Sequence, residues 1–111
     1  MNINLAVKLI EEASVKTLQL SGEIDAYTAP RLKESLLPLT KEADAEIIVD
    51  LENVNYMDST GLGVFISALK SSKEYGSSFK LINLQQRVAR LFKITSLDSI
   101  ISIDTTVRGG K

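Results

Sequence analysis

Ile3, Leu5, Val7 and Leu9 alternate with polar or small neighbours, the period of a strand with one covered face. A polar Glu-Glu-Ala-Ser stretch follows at 11–14, and residues 15–20 form a second β-like run. The chain is therefore expected to open with an antiparallel hairpin. Beyond Ser21-Gly22-Glu23-Ile24-Asp25 the period changes: Leu32, Leu36 and Leu39 mark one helical face behind Pro30 in the first turn. Thr28 or Ala29 is the expected cap of that helix, and Pro38 is expected to end it early.

Residues 46–51, Glu-Ile-Ile-Val-Asp-Leu, group aliphatic side chains with little alternation, as suits a central strand covered on both faces. Helical spacing returns at Leu62, Phe65, Ile66 and Leu69, and that helix is expected to stop near Gly76. Residues 79–84 read as a strand, Val88, Leu91 and Phe92 as one face of a third helix, and residues 100–103 as a last short strand. The predicted order is β, β, α, β, α, β, α, β. This is an α/β fold: a mixed β-sheet with an N-terminal antiparallel hairpin and covering helices, its parallel crossovers right-handed.

Length and composition narrow the picture. The 111 residues suffice for one core, which gives a single domain over 1–111 as the expectation. With 44% hydrophobic and 24% charged residues the chain falls in the globular range. A net charge of −1 with scattered basic residues supplies no field for a phosphate backbone, so nucleic acid is not an expected partner. There is no cysteine and no histidine, which removes disulfides, thiolate chemistry, the common zinc sites and hydrolases that rely on imidazole. The opening residues look like a strand and not like a signal peptide, and no later stretch reaches membrane-spanning length. A cytoplasmic protein without membrane partner, metal or cofactor is expected.

The candidate chemistry gathers at Tyr56-Met57-Asp58-Ser59-Thr60-Gly61-Leu62-Gly63, between the central strand and its helix, where α/β sheets place their sites. Asp58 suits an N-cap whose carboxylate accepts the backbone N–H of Thr60 or Gly61. A cap leaves the glycines unexplained, since each costs about 1 kcal/mol relative to alanine inside a helix. Two explanations stand side by side: tight packing of Gly61 and Gly63 against a neighbouring strand, or open access for another protein's backbone. Nucleotide motifs fail on spacing, because Ile66 stands where a third fingerprint glycine belongs and Val64-Phe65 where a phosphate loop needs lysine and a hydroxyl. Ser67-Ala68-Leu69-Lys70 matches a β-lactamase-type nucleophile pair, but its companion motifs are missing.

Three ordered stretches, Gly22-Glu23-Ile24-Asp25, Asn53 through Gly63, and Arg90-Leu91-Phe92, resemble the signature of STAS-domain anti-sigma factor antagonists over nearly the whole chain. The resemblance is strongest to the small antagonists of the bacterial general stress response. It implies that the unphosphorylated protein binds an anti-sigma factor serine/threonine kinase and frees the sigma factor. The kinase in turn phosphorylates the antagonist with ATP, and a metal-dependent PP2C-type phosphatase removes the mark. The family's acceptor directly follows the motif aspartate, which carries over to Ser59, with Thr60 as the secondary candidate. Asp25, Asp58, Ser59, Thr60, Gly61, Leu62 and Gly63 carry over as the partner-binding set.

On this resemblance the antagonist is a protein substrate and not an enzyme, because the kinase supplies base, magnesium and ATP. The alternative is a constitutive STAS scaffold or regulatory subunit of a stressosome or transporter system. One departure stands out: after Leu91-Phe92-Lys93-Ile94-Thr95 the family has glycine and then leucine, whereas this chain has Ser96-Leu97. A left-handed backbone at that position would strain a serine, and an ordinary turn, the expectation here, would tolerate it.

Overall fold

A computed structural model describes residues 4–104. The strands are β1 (Leu5–Glu12), β2 (Val15–Ile24), β3 (Glu46–Met57), β4 (Ser78–Ile82) and β5 (Ser102–Ile103), and the helices α1 (Ala29–Thr40), α2 (Ser59–Tyr75) and α3 (Gln86–Ile94). A single 3-10 turn, Leu97–Ser99, precedes β5. The sheet order is β1-β2-β3-β4-β5, with β1 antiparallel to β2 and every later pairing parallel. The expected mixed sheet with an N-terminal hairpin is therefore present, and Ala13-Ser14 make its two-residue turn. Ile3 of the expected first strand lies outside the described residues.

Each parallel strand joins its neighbour through a helix, and crossovers of one hand place all three helices on one face of the sheet. Beneath them lie Leu18, Leu20 and Ile24 of β2, Ile47, Val49 and Leu51 of β3, and Phe79 and Leu81 of β4. The Phe65 ring of α2 sits 6.2 Å from Phe79 and 6.1 Å from Phe92 of α3, tying both helices to one core. This corrects the expectation that residues 46–51 are covered on both faces. Glu46, Ile48 and Asp50 point away from the helices and stay half-buried. Ile48 owes its shielding to Thr17 and Lys80, its register neighbours on the open sheet surface.

Other boundaries shift for local reasons. Pro38 does not end α1 early; the helix continues to Thr40 with the proline inside its last turn. Pro38 gives up one i→i−4 bond, to the Glu34 carbonyl, and only two residues follow it in the helix, where the Thr40 hydroxyl donates to the Leu37 carbonyl at 2.7 Å. The cap position is as expected, at Thr28, but its side chain makes no cap bond. Asp25 does the work instead, its carboxylate accepting the N–H groups of Tyr27 and Thr28 at 2.9 and 3.1 Å. Thr28 Oγ1 reciprocates by accepting the Asp25 N–H at 2.9 Å, in the manner of a capping box.

The last expected strand shrinks to two residues because 97–99 turn. Ser96 just before them has φ +62°, so the left-handed backbone is realised, and an ordinary turn is not what forms. Serine accepts this conformation at a cost that glycine would avoid. The end of α2 matches expectation, with Gly76 at φ +80° and its N–H donating to Ser72.

The difference that matters most for the site is in β3. The strand does not end at Leu51 but runs on to Met57, and its pairing with β2 slips twice. Leu20 faces two residues between the Gln19↔Asp50 and Ser21↔Asn53 pairs, and Asn55 is extra between Gly22↔Val54 and Glu23↔Tyr56. Both are bulges on β3, so its buried positions fall at 47, 49 and 51 and then at 54 and 57. A spacing of three imitates a helix in the sequence and hides the strand.

Candidate functional site

The parallel pair β2 and β3 ends at Ile24↔Met57, and the next residue of each strand is an aspartate. Asp25 and Asp58 thus leave the same edge of the sheet side by side, with the Asp58 N–H donating to the Ile24 carbonyl at 3.2 Å. Both loops lead straight into helices on the same face, which brings the starts of α1 and α2 together. Asp58 caps α2 through its carboxylate, which accepts the Thr60 N–H at 2.9 Å. Ser59 is the first helical residue, and Ser59 and Thr60 are both exposed.

The two glycines divide between the two explanations. At Gly61 a side chain would meet Ile24 Cγ2 at 2.6 Å and Met57 Cγ at 2.8 Å, so its smallness lets α2 rest on the ends of β2 and β3. At Gly63 a Cβ would touch nothing within 4 Å among the described residues. Packing accounts for the first and leaves the second, with its helix penalty of about 1 kcal/mol, unexplained by the chain itself. Leu62 is 5% exposed and belongs to the core. Gly61 and Leu62 therefore position the helix, while Asp58, Ser59, Thr60 and Gly63 offer the surface.

Neighbouring residues that sequence reasoning passed over hold this geometry. Asp50 Oδ1 accepts the Glu52 N–H at 3.0 Å and the Asn83 side-chain amide at 3.1 Å, and Gln85 donates to the Glu52 carbonyl at 2.9 Å. The loop after β4 thereby clasps the first β3 bulge. At the second, Gly22 has φ +124°, and a Cβ there would run into the Asn4 carbonyl. Within the Gly22-Glu23-Ile24-Asp25 stretch, the physical task of Gly22 is close backbone approach. Tyr27, between Asp25 and α1, is 83% exposed, and an aromatic residue inside a polar loop was the available signal for it.

A groove of about 360 Å³ runs between the first turns of α1 and α2, lined by Ala29, Pro30 and Lys33 on one side and Thr60, Gly63 and Val64 on the other. Among the described residues no cluster of acidic side chains could hold a metal ion. No helix among them is long and apolar enough to cross a membrane.

Comparison with known proteins agrees with this architecture. Residues 6–110 match the STAS domain family model. The chain is 47% identical over 110 residues to an anti-sigma-B factor antagonist from Bacillus subtilis, covering 99% of this chain and 98% of the relative. It is 35% identical over 102 residues to an anti-sigma-B factor antagonist from Staphylococcus aureus, covering 92% and 94% of the two chains. The crystal structure of an anti-sigma factor antagonist from Mycobacterium paratuberculosis shares the fold, with a TM-score of 0.80 at 24% identity over 93% of this chain and 87% of that one. With the family model matched over nearly its whole length and full-length relatives at 47% and 35% identity, the chain belongs to the STAS domain family of anti-sigma factor antagonists.

Proposed function

We propose that the chain works as a phosphorylation-controlled anti-sigma factor antagonist in the cytoplasm, where its unphosphorylated form binds an anti-sigma factor serine/threonine kinase and releases the sigma factor. That kinase phosphorylates Ser59 and so ends the association, and a PP2C-type phosphatase restores it. The chain contributes a hydroxyl and a docking surface, and the kinase contributes nucleotide, magnesium and base. The observation that carries the reading is Ser59 itself, an exposed hydroxyl on the first residue of α2, directly after the capping Asp58. The close relatives in Bacillus subtilis and Staphylococcus aureus support the assignment of role.

A phosphate on Ser59 adds about −1.5 to −2 charges beside Asp58. A partner seated on this edge then meets concentrated negative charge, and the interface weakens. Within the chain the same phosphate sits at a helix N-terminus, where the dipole favours it. Phosphorylation is therefore expected to alter binding and leave the melting temperature nearly unchanged.

The test is a binding titration of the purified kinase, with phosphate mapped by mass spectrometry. Ser59→Ala should bind like the unmodified protein and take up no phosphate, whereas Ser59→Asp should bind at least about tenfold more weakly. Equal binding by both variants would favour the constitutive scaffold instead. Phosphate on Thr60 with Ser59 bare would move the acceptor by one residue.

A further inference from the structure

Gly63 is the loose end of the site. It stands in a helix, where glycine is unfavourable, and no atom of the described residues outside its own helix turn lies within 4 Å of where its Cβ would be. Gly63 also lines the groove between α1 and α2, whose surface is mainly apolar: Ala26, Ala29 and Pro30 on one wall, and Val64 beside Gly63 with the hydroxyl of Ser67 on the other. Lys33 is the only charged residue lining the groove, and no ion pair or hydrogen bond engages it among the described residues. Thr60 lines the groove as well, so the cleft is continuous with the phosphoacceptor loop.

From this juxtaposition we infer that the α1–α2 groove is a docking slot for a segment of the anti-sigma kinase that presents an apolar side chain with a carboxylate beside it. The apolar side chain fills the floor that Gly63 keeps open, and the carboxylate pairs with Lys33. The inference rests on the proposed function and deepens it. It also supplies a physical cause for the switch: a phosphate on Ser59, next to Thr60 at the end of the slot, repels the same carboxylate that Lys33 attracts. One acidic group on the partner then reads both states of the antagonist.

Calorimetric titration of the full chain with the purified kinase, with ADP in place of ATP so that no phosphoryl group is transferred, tests the slot. Lys33→Glu and Gly63→Leu should each weaken binding by about tenfold, and Lys33→Arg should keep it. Binding of the unmodified chain should fall with added salt, and Lys33→Gln should flatten that dependence. Gly63→Leu should melt several degrees higher than the unmodified protein, because leucine favours the helix, so its lost affinity cannot be loss of fold. Normal affinity in both Lys33→Glu and Gly63→Leu overturns the slot. If Ser59→Asp still abolishes binding in that case, the partner switch stands and only the slot falls; an unmodified chain that never binds the kinase takes down both.

Discussion

In the first half of β3, residues 46–51, buried side chains alternate strictly, and Ile47, Val49 and Leu51 all lie at 0% exposure under the helices. In the second half the buried positions fall three apart, at Val54 and Met57, and two extra residues bulge out of the pairing with β2. The regular half needs only pleat and hydrophobic burial. The bulged half has specific partners at its first bulge, the Asp50 carboxylate and Gln85, while beside its second β2 carries Gly22 at φ +124°, packed against the Asn4 carbonyl on the β1 side. One strand thus joins a segment that sustains the core to one that aims Asp58 and Ser59 at the sheet edge. Bulges beside functional sites commonly re-aim side chains in this way.

The sharpest contrast comes from the core. Leu51→Ala, in the regular half, should cost about 2–5 kcal/mol in a denaturant titration while the folded fraction keeps its affinity for the kinase. Loss of affinity in folded protein would mean that the two halves are not separable. Asp50→Ala cuts the clasp between them, and about 1–3 kcal/mol should be lost as the Glu52 N–H and the Asn83 amide forfeit their acceptor. Here amide exchange should quicken at 52–57 and stay slow at 46–49, the reverse of what a uniformly weakened sheet would give.

Asp58→Ala removes the cap of α2. About 1 kcal/mol is the expected loss, with fraying confined to the first turn and slower phosphate uptake at Ser59. The smallest effect lies at the opposite end of the sheet from the site. There the Lys16 ammonium is 3.0 Å from the Glu11 carboxylate and 3.1 Å from Glu42, clamping the hairpin to the segment after α1. Its hydrogen bonds to Glu11 and then Glu42 hold its pKa above the ordinary 10.5, against a lowering effect of burial.

A raised folded pKa means that the folded chain keeps a proton the unfolded chain has begun to lose. The contribution is full below pH 10.5 and fades as pH climbs past it through the folded value. An alkaline melting series should show that decline in the unmodified protein and less of it in Lys16→Met, with kinase binding at neutral pH unaffected.

Much of this molecule could be read from residue order. The hairpin, the strand at 46–51, the α2 face and its stop at Gly76 follow from period and from local backbone preference, which neighbours in sequence suffice to express. Asp58 as a cap is equally local, a carboxylate two residues ahead of the N–H it accepts. What went unread depends on partners far along the chain. Leu51, Val54 and Met57 imitate a helical spacing until β2 is laid beside them. Asn83 and Gln85 acquire meaning only when their loop reaches back 33 residues to Asp50 and Glu52.

The sequence by itself thus determined most element types, the mixed sheet and the stretch that forms the candidate site, because burial period and capping are written in near neighbours. Tertiary structure alone decided the bulges of β3, the different tasks of Gly61 and Gly63, and the groove that joins α1 to the serine loop. Each of those depends on which atoms occupy a volume of space, and that is set by strands and helices packing across the whole fold.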